Sequence, residues 1–140
     1  MSEIDYVTAL TERQKGHLPD HLGIEWEEAR HSFMRGRIAA QLHHMAPNGY
    51  LHAGTVVTLA DTACGYGCVI SKPEAAIGFT TIELKTNFLG TAKQGETIVC
   101  DARLTHGGRT TQVWDAEVKN ETSGKAMALF RCTQMLLYPK

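Results

Sequence analysis

The chain has 140 residues, 43% of them hydrophobic, and a formal net charge of −1. That is one domain's worth of sequence with enough apolar material for a core. Its 14 Lys and Arg are scattered, with no basic stripe for nucleic acid, and no run of about 18 apolar residues suggests a membrane span. MSEIDYVTALTERQK at the start has no signal-peptide pattern, so the expectation is a cytoplasmic protein with no nucleic-acid or membrane partner.

Residues 3–14 read as a short amphipathic helix, with Ile4, Val7, Ala9 and Leu10 on its apolar side. Gly16, Pro19 and Gly23 break the chain after it. Residues 24–30 and 32–42 read as two strands; in the second, Phe33, Ile38 and Ala40 are apolar and Arg35 and Arg37 polar. HHMAPNGY then supplies a turn through Pro47 and Asn48–Gly49. Residues 53–69 form the one long helix candidate.

Everything after it reads as strand. Residues 77–90 carry Ile82 and Leu84 in alternation. Residues 95–108 place Ile98, Cys100, Ala102 and Leu104 at strict period two, and residues 109–120 alternate again. Residues 125–138 close the chain, with Met127, Leu129, Arg131 and Thr133 on one face and Ala128, Phe130, Cys132 and Met135 near the other. A single apolar helix must be covered on most sides. The expected fold is therefore α+β: an antiparallel sheet of about six strands wrapped around one long central helix. Residues 1–140 form a single domain, of which 1–19 are an N-terminal helix and linker. Such a sheet has exposed edges that invite a second copy.

The central helix carries Asp61 nine residues after His52. On a helical wheel Thr55, Thr58 and Thr62 form one stripe, and Val56, Leu59, Ala60, Ala63 and Cys64 form a broad apolar arc. Asp61 lies beyond the threonine stripe, between Val57, Gly65 and Cys68. Asp and Gly are poor mid-helix residues. One reading makes Asp61 and the threonines a solvated face. The other holds a carboxylate at a partly apolar wall, where lost solvation makes it a better base, with Gly65 leaving room for a ligand. The helix start offers first-turn N–H groups at Ala53 and Gly54 that can hold an anion or polarised carbonyl. His52 either orients this turn or meets the substrate. Ala53 and Asp61 stand eight residues apart, or about 12 Å along a helix axis. One carbonyl reaches both only if they come from two subunits related by a two-fold axis.

Leu51-His52-Ala53-Gly54 followed by Leu59-Ala60-Asp61, with the later GETIV, GGRTTQVWDAEV and SGKAMALFR segments, resembles the PaaI-like hotdog-fold thioesterases over residues 20–138. The resemblance implies hydrolysis of an acyl thioester, normally an acyl-CoA, by a dimer assembled into a tetramer. It implies Asp61 as general base or nucleophile, the Ala53 N–H as oxyanion donor, Thr80 as a hydroxyl near the attacking water and Arg109 as a ligand for a CoA phosphate. The family's Asn position is Ala46 here, with Asn48 two residues later as the candidate substitute. No cofactor is implied.

Other chemistries fit less well. Cys64, Cys68, Cys100 and Cys132 form no CxxC pair and read as reduced, buried thiols. The seven histidines show no metal-ligand spacing. No Gly-x-Ser-x-Gly elbow is present. A non-catalytic acyl-CoA-binding protein of the same fold, or an enoyl-thioester hydratase or dehydratase using His52 and Asp61, remain alternatives. Aromatic, short and medium acyl groups all suit a small apolar pocket.

Overall fold

The structure, a computed structural model, describes residues 4–140. Helix α1 (Tyr6–Arg13) is capped by Asp5, whose carboxylate accepts the Thr8 N–H at 3.1 Å. Glu3, the first residue of the expected helix, lies outside the described residues. Chain breaks were expected after α1, yet Leu18–His21 forms one further turn, α2, with Pro19 in its first turn where a missing N–H costs nothing. The segment read as a linker is thereby tied to the core. Gln14 is buried, donates to the Ile24 carbonyl and accepts from the Trp26 indole, both at 2.9 Å.

Six strands follow: β1 (Glu25–Arg30), β2 (Phe33–Ala39), β3 (Gly78–Phe88), β4 (Thr97–Gly107), β5 (Thr111–Asn120) and β6 (Ala126–Leu137). They form one antiparallel sheet in the order β1-β2-β4-β5-β6-β3, so β1 and β3 are its edges. Between β2 and β3 the chain makes a 3-10 turn (Leu42–His44) and the long helix α3 (Ala53–Ser71). The sheet curls around α3. Leu59, Ala60, Ala63, Cys64 and Cys68 are completely buried against inward residues such as Ile98, Cys100, Trp114 and Cys132. By length and composition alone α3 could cross a membrane, contrary to the sequence expectation, but half of it is buried inside the protein as a core helix.

Two tryptophans set the spacing of helix and sheet. A Cβ on Gly67 would lie 2.4 Å from the Trp114 ring, and one on Gly36 would lie 2.5 Å from the Trp26 ring. These glycines exist to admit indoles, which compensates the helix cost of Gly67.

Two irregularities in the ladder change the expected faces. The register shifts between Val118 and Lys119 against β6, which leaves Met127 as an extra residue. Met127 is therefore buried, not on the face of Leu129, Arg131 and Thr133. From Ala128 onward the inward set is Ala128, Phe130, Cys132, Gln134 and Leu136, and Met135 is exposed. The register also shifts between Thr81 and Glu83 at Ile82, so Ile82 and Leu84 do not share one buried face; both are exposed.

Substituting Gly67 by Ala forces the buried Trp114 ring, held by its indole N–H on Gln112 at 2.8 Å, to move. We expect a loss of about 1–3 kcal/mol, read as a lower urea midpoint at unchanged m-value.

Candidate active site

The segment before α3 is held by backbone bonds. The His44 carbonyl accepts both the His52 N–H at 3.0 Å and the Thr55 hydroxyl at 2.9 Å. The His44 ring is locked in turn: Nδ1 accepts the Gln41 N–H at 2.9 Å, which leaves the proton on Nε2 for the Leu22 carbonyl at 2.7 Å. Burial holds this ring's pKa below its ordinary value, so it stays neutral. The tip of the loop turns at Gly49, whose φ of +90° suits glycine. The Asn48 carboxamide oxygen accepts the Tyr50 N–H at 3.2 Å. Asn48 thus closes an Asx turn with its oxygen, and nothing in the structure turns it toward Asp61.

His52 is the N-cap of α3. Its Nδ1 accepts the Gly54 N–H at 2.7 Å, and its carbonyl accepts the Thr55 N–H at 3.0 Å. This separates the two oxyanion donors expected from sequence. The Gly54 N–H is already committed, and glycine is needed there because a Cβ would sit 2.9 Å from the His52 ring. The Ala53 N–H has no acceptor among the described residues, and Ala53 is exposed. It stands alone at the positive end of the α3 dipole. His52 acts here as the residue that shapes the turn.

Asp61 lies two turns further along. Its Oδ1 is buried with no hydrogen-bond partner among the described residues. Lost solvation pushes its carboxyl pKa up. The hydroxyl beside it belongs to Thr81, not Thr80. Phe79 and Thr81 face α3, because their ladder partners Leu136 and Gln134 are buried; Thr80 pairs with exposed Met135 and points away. A hydroxyl on Thr81 pulls the Asp61 pKa down if it donates to the carboxylate. Its single proton, however, goes to Oε1 of Gln134 at 2.7 Å, so burial dominates.

Gly65 does not open a space for ligand within the chain. A Cβ there would lie 3.0 Å from the tip of the Phe79 ring, so Phe79 occupies the room. Arg109 is exposed at the β4–β5 turn, and its carbonyl accepts the Tyr138 hydroxyl. It sits at the end of the sheet reached by the C-terminal half of α3, since Thr110 bonds Leu136 there. Ala53 occupies the opposite end of α3. One chain therefore does not bring Arg109, Asp61 and Ala53 together.

Sequence reading missed the polar row beneath Asp61: Thr81, Gln134 and Gln112, aligned across β3, β6 and β5. Gln134 and Gln112 are almost completely buried. The signal was in the phase of the pattern, since Gln112 alternates with Trp114, Ala116 and Val118, and Gln134 with Phe130 and Cys132. Among the described residues no group of three or more His, Cys, Asp or Glu is placed to hold a metal ion. Cys64 and Cys100 are held neutral by burial, and the Cys68 thiol is pushed up to about 12. None has the thiolate character of a nucleophile.

A single antiparallel sheet wrapped around one buried helix, with a carboxylate in that helix and a free N–H at its start, defines the hotdog class. The Thioesterase superfamily matches residues 48–127. The 1,4-dihydroxy-2-naphthoyl-CoA hydrolase of Listeria monocytogenes is 37% identical over 87 residues, 62% of this chain and 68% of that protein. The acyl-coenzyme A thioesterase PaaI of Escherichia coli is 36% identical over 80 residues, 57% of this chain and 54% of that one. The crystal structure of a single-site mutant of thioesterase PA1618 from Pseudomonas aeruginosa superposes with a TM-score of 0.89 at 26% identity, covering 99% of this chain and 97% of that one. The chain belongs to the thioesterase superfamily, in its PaaI-like hotdog group, and is a thioester hydrolase.

Because burial holds Asp61 above its unfolded-state value, the native state keeps the proton longer as pH rises. Stability falls through the interval between the two values and stays lower above it. Asp61→Asn removes that penalty. We expect its Tm to exceed wild type by about 2–4 °C at pH 7, and the gain to vanish below the ordinary carboxylate value of 3.8. Thermal scans across pH check this.

Proposed function

We propose that the protein hydrolyses an acyl-CoA to the free acid and CoA, with Asp61 as general base and the Ala53 N–H as oxyanion donor. The carrying observation is the buried Oδ1 of Asp61, which no group among the described residues satisfies. A buried carboxylate oxygen without a partner is costly, and it survives where a ligand or reacting water supplies the bond. The CoA substrate rests on the L. monocytogenes and E. coli relatives, whose names specify CoA thioesters.

The working unit is a homodimer. Ala53 and Asp61 lie on one continuous helix, about 12 Å apart. The thioester carbonyl meets Asp61 of one protomer and the partner subunit's Ala53. The edge strand β3 supports this assembly. Leu84 and Phe88 turn toward the helix side of the sheet, opposite buried Cys132 and Ala128, yet are 43% and 48% exposed. In the mechanism, the N–H draws charge onto the carbonyl oxygen, and Asp61 takes a proton from water as it adds to the carbon. The tetrahedral intermediate collapses by expelling the thiolate, a leaving group that needs no strong acid at neutral pH. Arg109 stands exposed and able to pair with a CoA phosphate.

Free-thiol release from aromatic and aliphatic acyl-CoAs tests this. Asp61→Asn is expected to lose at least about a hundredfold in kcat. Ala53→Pro removes only the N–H: proline suits the first helical position, and His52 already has φ −65° and ψ 134°, as a residue before proline requires. A folded Ala53→Pro protein is expected to lose about 10²–10³ in kcat. Saturable binding with no thiol release from any ester would overturn the assignment.

A further inference from the structure

Beneath Asp61 the inner face of the sheet carries a row of polar side chains. Thr81, Gln134 and Gln112 occupy a single register row under Asp61, and Gln134 is 0% exposed. The Gln134 carboxamide is bonded at both ends. Oε1 accepts the Thr81 hydroxyl at 2.7 Å, and Nε2 donates to Cys132 Sγ at 3.4 Å. Gln112 is engaged separately by the Trp114 indole. A buried amide held this way has one orientation, with its oxygen toward Thr81.

A threonine hydroxyl has one proton and two competing acceptors here, Gln134 Oε1 and the Asp61 carboxylate. The geometry gives the proton to Gln134, and Asp61 Oδ1 is left without a donor among the described residues. The Thr81 oxygen then presents lone pairs toward the Asp61 side. It can accept a hydrogen bond from water or from a protonated carboxyl, and it cannot solvate the carboxylate. We propose that Gln134 is a positioning residue: by holding the Thr81 proton it keeps Asp61 a strong base and turns Thr81 into an acceptor for the attacking water. The catalytic consequence rests on the reading of Asp61 as general base; the proton arrangement does not.

Few other groups compete. The titratable side chains facing this part of the helix are Cys64 and Cys68 on α3, with Cys100 on β4 and Cys132 on β6 behind them. Cys64 and Cys100 are held neutral by burial. Among the described residues no charged side chain contributes to the upward shift of Asp61, which burial causes.

The test is a carbon-13 NMR titration of the Asp61 carboxyl, which needs no activity, together with the pH profile of kcat/KM. Gln134→Met keeps the length of the side chain and removes the acceptor, so the Thr81 proton turns to Asp61. The Asp61 titration and the acid limb of the profile are expected to move together to lower pH, by about one unit. At neutral pH kcat is expected to fall about tenfold with KM little changed. Thr81→Val leaves the Asp61 titration in place, and Gln134→Met added to Thr81→Val shifts it no further. An unmoved titration in folded Gln134→Met, or a shift that persists without the Thr81 hydroxyl, overturns the proposal. If Gln134→Met does not fold, Thr81→Val decides alone: a rise in the Asp61 titration means the proton was on Asp61 and the proposal fails. A titration that shifts as expected while Asp61→Asn retains full activity sinks the general-base reading and leaves the proton arrangement standing.

Discussion

The helix α3 has to be hidden, and a single sheet has to hide it. Most of its surface is apolar, so β2, β4, β5 and β6 curl around it and place inward side chains at nearly every turn. The close approach this requires explains features that look like weaknesses in the helix itself. Gly67 gives way to Trp114 and Gly65 to Phe79. Helix propensity is surrendered locally because packing density in the core is worth more. Asp61 is the exception that packing does not explain, which is why it carries the functional argument.

The same enclosure separates the two halves of the chemistry. A straight helix fixes the distance between its first-turn N–H and a carboxylate two turns on. No side-chain rotamer removes that gap. The loop from His44 to His52 holds the donor end in place, while the inner faces of β3 and β6 face the carboxylate at mid-helix. One chain therefore makes two half-sites, one at the start of α3 and one at its middle. The edge strand that leaves Leu84 and Phe88 partly uncovered lies alongside the carboxylate half.

How far the sequence could be read depended on whether a signal was local. The period-two pattern of Ile98, Cys100 and Ala102 and the long apolar run of α3 gave the architecture, since each element's burial follows from its own periodicity. The position of Asp61 on its helix was equally legible. The faces of β6 and β3 were not, because a single extra residue at Met127 or Ile82 inverts the alternation and is set by pairing with a distant strand. Thr80 and Thr81 are adjacent and identical in type; only the register against Met135 and Gln134 decides which one meets Asp61. The fate of the Gly54 N–H turned on a rotamer of His52 that no spacing reveals.

All four cysteines are free and sealed in the interior. For a protein that generates thiols this confers redox insulation. Thiol–disulfide exchange needs an accessible thiolate, and the chain presents none to the thiol it releases or to mixed disulfides formed from it. Turnover can proceed amid its own reactive product without the enzyme becoming covalently trapped. A thiol-reactive dye in solution then reports the product alone, with the folded protein silent in the background.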